Sequence, residues 1–210
     1  MKKTLVLFLM FCMLLIPSVA FANSSTDQEP TVKEPTAEEI AQLNETLDKL
    51  IIEANKKLEA GETDLFLEEK VGETDGSVSL SFSLNNTNVV SNKQESSLRA
   101  SFANLPSGAK NYYAKVEYTD IGFDFKHELG GGFTYADGKI KGASKDVSLT
   151  GLFYSEDHET WIDYLDPSVW IVNSKGKFKA LKYGVEYNTS LVVGLYGSGD
   201  YKILKAWVGN

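Results

Sequence analysis

Around residues 154–166 the sequence gathers its densest set of groups capable of chemistry. Glu156-Asp157-His158-Glu159, followed by Asp163 and Asp166, places five carboxylates and an imidazole within eleven residues, beside Tyr154, Trp161 and Tyr164. Three chemistries use such a set. Carboxylates in a loop hold Ca²⁺, which takes about six to eight oxygen ligands. Asp157, Glu159 and Asp163 are the candidate ligands, and calcium is the one cofactor the sequence suggests, although the spacing is not that of an EF-hand loop. A pair of carboxylates beside aromatics can run glycoside hydrolysis. Aromatic rings alone can stack on sugars. That makes Tyr154, Trp161 and Tyr164 the candidate ligand-binding residues, with Trp161 the best placed for exposure because it abuts the acids. Against these stands a plainer reading: polar runs between strands decorate solvated loops, and tryptophans are mostly buried. The plainer reading outweighs both metal binding and catalysis.

No other constellation competes. His127 and His158 are the only histidines, and neither has a Ser or Cys nucleophile placed in a recognisable motif. His127 falls in register with Phe123 and Phe125, so a part-buried core histidine is expected. Gly197-Ser198-Gly199-Asp200 superficially resembles a nucleophile turn, but no strand–turn–helix context follows it. His-Glu-x-x-His, a phosphate loop and zinc-ligand spacing are absent. No catalytic residue is nominated. Trp161, Trp170, Trp207 and ten tyrosines leave a sugar-stacking platform open.

The elements that would position these groups follow from the period of the apolar residues. Thr36-Ala37-Glu38-Glu39 is a capping box. From it, Ile40, Leu43, Leu47, Leu50, Ile51, Ala54 and Leu58 share one face at helical spacing until Gly61, which predicts an amphipathic helix over 36–61. Its stripe fits a heptad seam for self-association, but fewer than three heptads is thin for a coiled coil, so docking on the same chain is favoured.

From Gly72 the period changes to two. Ser77 to Leu84 alternates serine with Val78, Leu80, Phe82 and Leu84, the mark of a half-buried antiparallel strand. An amphipathic Ser-rich hairpin of this kind also suits a rearranging membrane barrel. A membrane strand needs about 9–11 residues, so an ordinary edge or surface strand is expected. Further alternation at Leu98–Phe102, Tyr112–Tyr118, Ile121–Leu129 and onward to Val208 gives ten or eleven short strands. Turns are expected at Asn85-Asn86-Thr87-Asn88, Gly130-Gly131-Gly132, Asp137-Gly138, Asp166-Pro167, Lys175-Gly176 and Gly197-Ser198-Gly199. Residues 71–210 hold 20 of the 24 aromatics and 16 of the 17 glycines, and nothing between the strands reads as a crossover helix. The expected fold is therefore all-β: an antiparallel β-sandwich (jelly-roll-like) or barrel over 71–210, preceded by a single amphipathic N-terminal α-helix.

Residues 1–22 read as a signal peptide. Lys2 and Lys3 precede an uncharged apolar run from Leu5 to Ile16; Pro17 breaks it, and Ala20-Phe21-Ala22 is a small-x-small cleavage pattern. Residues 23–35 read as a flexible linker, being polar and acidic with two prolines. Cleavage after Ala22 removes Cys12, so the exported chain has no disulfide, which suits a bacterial secreted protein. It also removes Lys2 and Lys3 and takes the net charge from −8 to −10. Nucleic acid and stable membrane insertion are therefore not expected. No known family is recognised. The reading that fits best is a secreted binding protein recognising a cell-envelope or extracellular glycan or a protein. A secreted polysaccharide hydrolase and a self-assembling or membrane-active β protein are the alternatives.

Overall fold

The structure, a computed structural model, describes residues 34–86, 107–120, 123–151, 155–180 and 184–209. Residues 1–33, Tyr154 and the alternating Leu98, Ala100 and Phe102 lie outside the described residues.

The helix forms where the capping box starts it. Thr36 Oγ1 accepts from the Glu39 N–H at 3.2 Å, and the Thr36 N–H donates to Glu39 Oε2 at 2.8 Å, opening α1 (Ala37–Glu59). Leu43, Leu47, Leu50, Ile51 and Ala54 are buried against the strands of the same chain, so the seam that would self-associate is already occupied. Each such burial contributes roughly 1.5–3 kcal/mol for a large apolar side chain. Among the described residues, no helix is long and apolar enough to cross a membrane.

Among the described residues ten strands follow: β1 (Asp64–Lys70), β2 (Ser77–Asn86), β3 (Gly108–Thr119), β4 (Phe125–Ala136), β5 (Lys139–Ala143), β6 (Asp146–Thr150), β7 (Ser155–Asp166), β8 (Val169–Ala180), β9 (Val185–Tyr196) and β10 (Tyr201–Gly209). One sheet has the order β1-β2-β3-β4-β5, with β6 paired beside β5 on another stretch of β4. The other has the order β10-β9-β8-β7. All described pairs are antiparallel and join neighbours in the chain, apart from β4–β6. The result is an up-and-down sandwich, neither closed as a barrel nor crossed as in a jelly roll. Its core is the inward rows of both sheets, including Phe82, Tyr112, Phe125, Phe178, Tyr187 and Leu195. The Phe178 and Tyr187 rings stack at 4.8 Å.

Several sequence expectations shift. β1, ahead of the first alternating run, joins the sheet through β2. Because β2 lies between β1 and β3, the serine-rich strand is internal, not an edge, and its alternate residues Val78, Leu80, Phe82 and Leu84 are core. It runs through Asn86 and so takes in the first two residues of the turn expected at Asn85-Asn86-Thr87-Asn88, the last two of which lie outside the described residues. Gly130-Gly131-Gly132 does not end a strand either; β4 runs through it. There β4 changes partner from β6 to β5, and a Cβ on Gly131 would stand 2.1 Å from the Ser144 carbonyl oxygen. The glycine marks a close approach of two backbones. Lys175-Gly176 likewise lies inside β8, where the Thr189 hydroxyl and Leu149 fill the space beside Gly176. The turn at Asp137-Gly138 forms as expected, with φ of 54° and 71°.

Candidate functional site

The acidic cluster is a strand rather than a loop. β7 carries it as the outer strand of its sheet, and Glu156, Asp157, Glu159, Asp163 and Asp166 are all exposed. Charge along an unpaired edge discourages pairing with other chains, which gives the cluster a physical reason independent of catalysis. Asp157, Glu159 and Asp163 share the outward face, but each second residue advances about 7 Å along a strand. Their carboxylates are strung out rather than gathered around one point. Among the described residues no three His, Cys, Asp or Glu side chains converge to hold a metal ion. The calcium expectation does not fit this donor set.

The same alternation separates the aromatic candidates. Trp161 points outward with Asp163. Tyr164, three residues on, has the opposite parity and meets Trp170 edge-on at 4.6 Å. Tyr164 is 66% exposed, yet it cannot share a platform with Trp161. Tyr154 lies outside the described residues.

What Trp161 does share is the outer face of the β10-β9-β8-β7 sheet. Register aligns Trp161, Asn173, Val192 and Lys205 in one row across four strands. The next row is Glu159, Lys175, Ser190 and Trp207. Trp161 is fixed by its neighbours: its indole N–H donates to Asp163 Oδ2 at 3.2 Å, and Asn173 Nδ2 donates to the same oxygen at 2.9 Å. Lys175 Nζ lies 5.2 Å from the Trp161 ring centroid. At the opposite edge Lys205 Nζ lies 5.1 Å from the Trp207 ring. Trp207 lies over Gly209, where a Cβ would stand 2.0 Å from the indole. The ring rests against the Gly209 backbone and is 37% exposed. The two tryptophans flank the sheet, about 16 Å apart on a diagonal of three strand spacings and one two-residue row. Asn173, Ser190 and Val192 lie between them and are only partly buried. Sequence alternation could have placed Trp207 on an outward row, but only the register shows that it shares this face with Trp161.

Other concave regions are less suited to a ligand. A cavity of about 440 Å³ lies at the C-terminal end of α1. Most of its charged lining is internally satisfied: Lys202 pairs with Glu59 at 2.6 Å, Lys110 donates to the Gly199 carbonyl at 2.8 Å, and Asp200 accepts from Ser198 at 2.7 Å.

Buried between the sheets, His127 on β4 bonds through Nδ1 to Thr189 Oγ1 and through Nε2 to Ser174 Oγ, both at 2.8 Å. Ser174 Oγ also meets Thr160 Oγ1 at 3.2 Å. Burial, and then the charge of His158, push the His127 imidazole down to about 4. The ring is neutral at physiological pH. Ser174 is fully buried and reaches no substrate, so the His–Ser contact joins two sheets instead of activating a nucleophile.

Compared with known proteins, the chain matches no family model, and no curated protein or solved structure shows significant similarity to it.

Proposed function

We propose that this is an exported, non-catalytic binding protein that recognises an extracellular or cell-envelope glycan on the outer face of its four-stranded sheet. The observation that carries the reading is the pairing of two outward tryptophans with a hydrogen-bonding floor. Trp161 is held by Asp163 and Asn173, and Trp207 is laid on Gly209. Sugars present apolar C–H faces and polar rims, so a site for them needs flat aromatic surface beside fixed donors and acceptors. The face offers both, along the length of a short oligosaccharide. The exposed acids of β7 stand on an open edge rather than in a cleft, which supports binding over hydrolysis. The signal-like residues 1–22 and the absence of cysteine after Cys12 support an extracellular setting.

A panel of neutral and acidic polysaccharides, tested by affinity electrophoresis with Trp161→Ala and Trp207→Ala, checks this. Trp truncation at a binding centre costs about 2 kcal/mol or more, so each variant loses at least about tenfold in affinity while its circular dichroism is unchanged. Absence of binding to every polysaccharide, or binding that neither substitution weakens, contradicts the reading.

A further inference from the structure

We infer that the glycan taken by this face is a polyanion of the uronic-acid kind, bound by stacking on Trp161 and Trp207 and by its carboxylates meeting Lys175 and Lys205. This rests on the glycan-binding reading of the same face and adds the charge of the ligand. The chain carries 29 acidic residues against 21 basic ones, so a lysine has many carboxylates to choose from. Lys49, Lys57, Lys115, Lys177, Lys179 and Lys202 all take one. Among the described residues other lysines take none, Lys110, Lys126 and Lys145 among them; Lys175 and Lys205 are set apart because each ammonium lies over a tryptophan of the proposed site. Ion pairs occur on both outer faces: Lys177 and Lys179 pair with Glu186 beyond Lys175 on this one, and Lys115 pairs with Glu117 at 2.7 Å on the other.

The placement repeats at both ends of the face. Trp161 shares a row with Lys205, and Lys175 shares the adjacent row with Glu159 and Trp207, so Trp161, Lys205, Trp207 and Glu159 stand at the corners and Lys175 lies inside them beside Asn173, Ser190 and Val192. A uronate needs that combination: a C–H face for the indole and a carboxylate at the ring edge for an ammonium. Lysine is a compact charge on a flexible stem. It can leave the indole for the carboxylate as the sugar takes its place over the ring. Of the acids on this face, Asp163 already accepts from the indole and from Asn173, and Glu159 stands exposed directly across from Lys175. The net negative charge of the rest of the molecule is screened beyond about 8 Å at physiological salt, so the local lysines decide binding. The overall negative charge still opposes dense polyanions such as nucleic acid.

The test titrates the purified protein with polygalacturonate, alginate and hyaluronan, and with the carboxyl-reduced, neutral form of each. At least one polyuronate is expected to bind about tenfold or more tighter than its neutral counterpart. The double substitution Lys175→Gln with Lys205→Gln is expected to remove that difference, leave residual binding of the neutral form, and leave the melting temperature unchanged. Equal or tighter binding of the neutral polymers overturns the charge inference and leaves the glycan reading standing. A polyuronate preference that survives the double substitution also overturns it. So does single-stranded DNA bound as tightly through the same lysines, which would make the face a general polyanion site. If no polymer of either kind binds and the wider panel fails too, the glycan reading falls with it.

Discussion

His127 shows how a side chain with catalytic chemistry comes to serve the fold. It is 1% exposed, and both ring nitrogens find hydroxyls on the opposite sheet. A buried polar group without partners is costly, and here Thr189 and Ser174 supply them. The price of the arrangement is sensitivity to acid. In the unfolded chain the imidazole takes a proton near pH 6.5, whereas the folded protein resists until about 4. Between those values the unfolded state binds more protons, so stability is full above about pH 6.5 and falls as the pH drops toward 4. The loss from this one group is of order 3 kcal/mol. Urea denaturation of the wild type and of His127→Gln at pH 7 and pH 4.5 checks it: the wild type is expected to lose more stability than the variant over that interval. Equal losses would show that another group sets the acid response. The sequence placed His127 in the core through its register with Phe123 and Phe125. Its two hydroxyl partners are 47 and 62 residues away in the chain, which no local pattern can show.

The helix and β10 fit together through a match of periods. Asn44 accepts from the Val208 N–H and donates to the Val208 carbonyl, at 2.8 and 2.7 Å. Asn55 does the same for Ile203, at 3.0 and 2.7 Å. Eleven helical residues rise about 16 Å and return to nearly the same face, and five strand residues span about the same distance. The β-bulge between Ile203 and Lys205 adds the residue that brings Ile203 and Val208 into phase, so both lie on the buried side. The two amides thus replace a missing neighbouring strand along an outer edge, and the helix covers it. Asn44→Leu and Asn55→Leu keep the volume but strand two backbone groups each. Each is expected to cost roughly 1–3 kcal/mol, and the pair to promote concentration-dependent association through the uncovered edge of β10. Chemical denaturation and analytical ultracentrifugation read both effects. Neutral, monomeric variants would contradict the clamp. The capping box and apolar stripe made this helix legible from sequence, because both are local. Asn44 and Asn55 carried no signal, since their partners are 164 and 148 residues away. Continuous β4 and β8 were hidden for a related reason: glycines at 130–132 and 176 look like turns until the neighbouring chains that crowd Gly131 and Gly176 are in view.

At the largest scale, the described residues form a meander sandwich with two differently composed outer surfaces. One sheet turns the Lys115–Glu117 pair and the Tyr113–Glu128 contact outward. The other presents Trp161 and Trp207 around a floor of Asn173, Ser190 and Val192, each ring topped by an unpaired lysine. The fold class was legible in the period-two alternation and the turn residues. The candidate site was legible only in part: Trp161 stood out beside the acids, but its companions come from β8, β9 and β10, joined to it by register alone. Tyr164, adjacent in sequence, is on the wrong side of the strand. The claim that this face is the ligand surface is tested most directly by ¹H–¹⁵N NMR of the purified protein titrated with the tightest-binding oligosaccharide of the panel. The expected result is saturable shifts centred on the Trp161 and Trp207 indole N–H groups and the amides of Asn173, Lys175, Ser190 and Lys205, with α1 and the outer face of the other sheet unmoved. Shifts centred on the cavity by Glu59 and Lys202, or on the exposed side of α1 around Ile52, would contradict it.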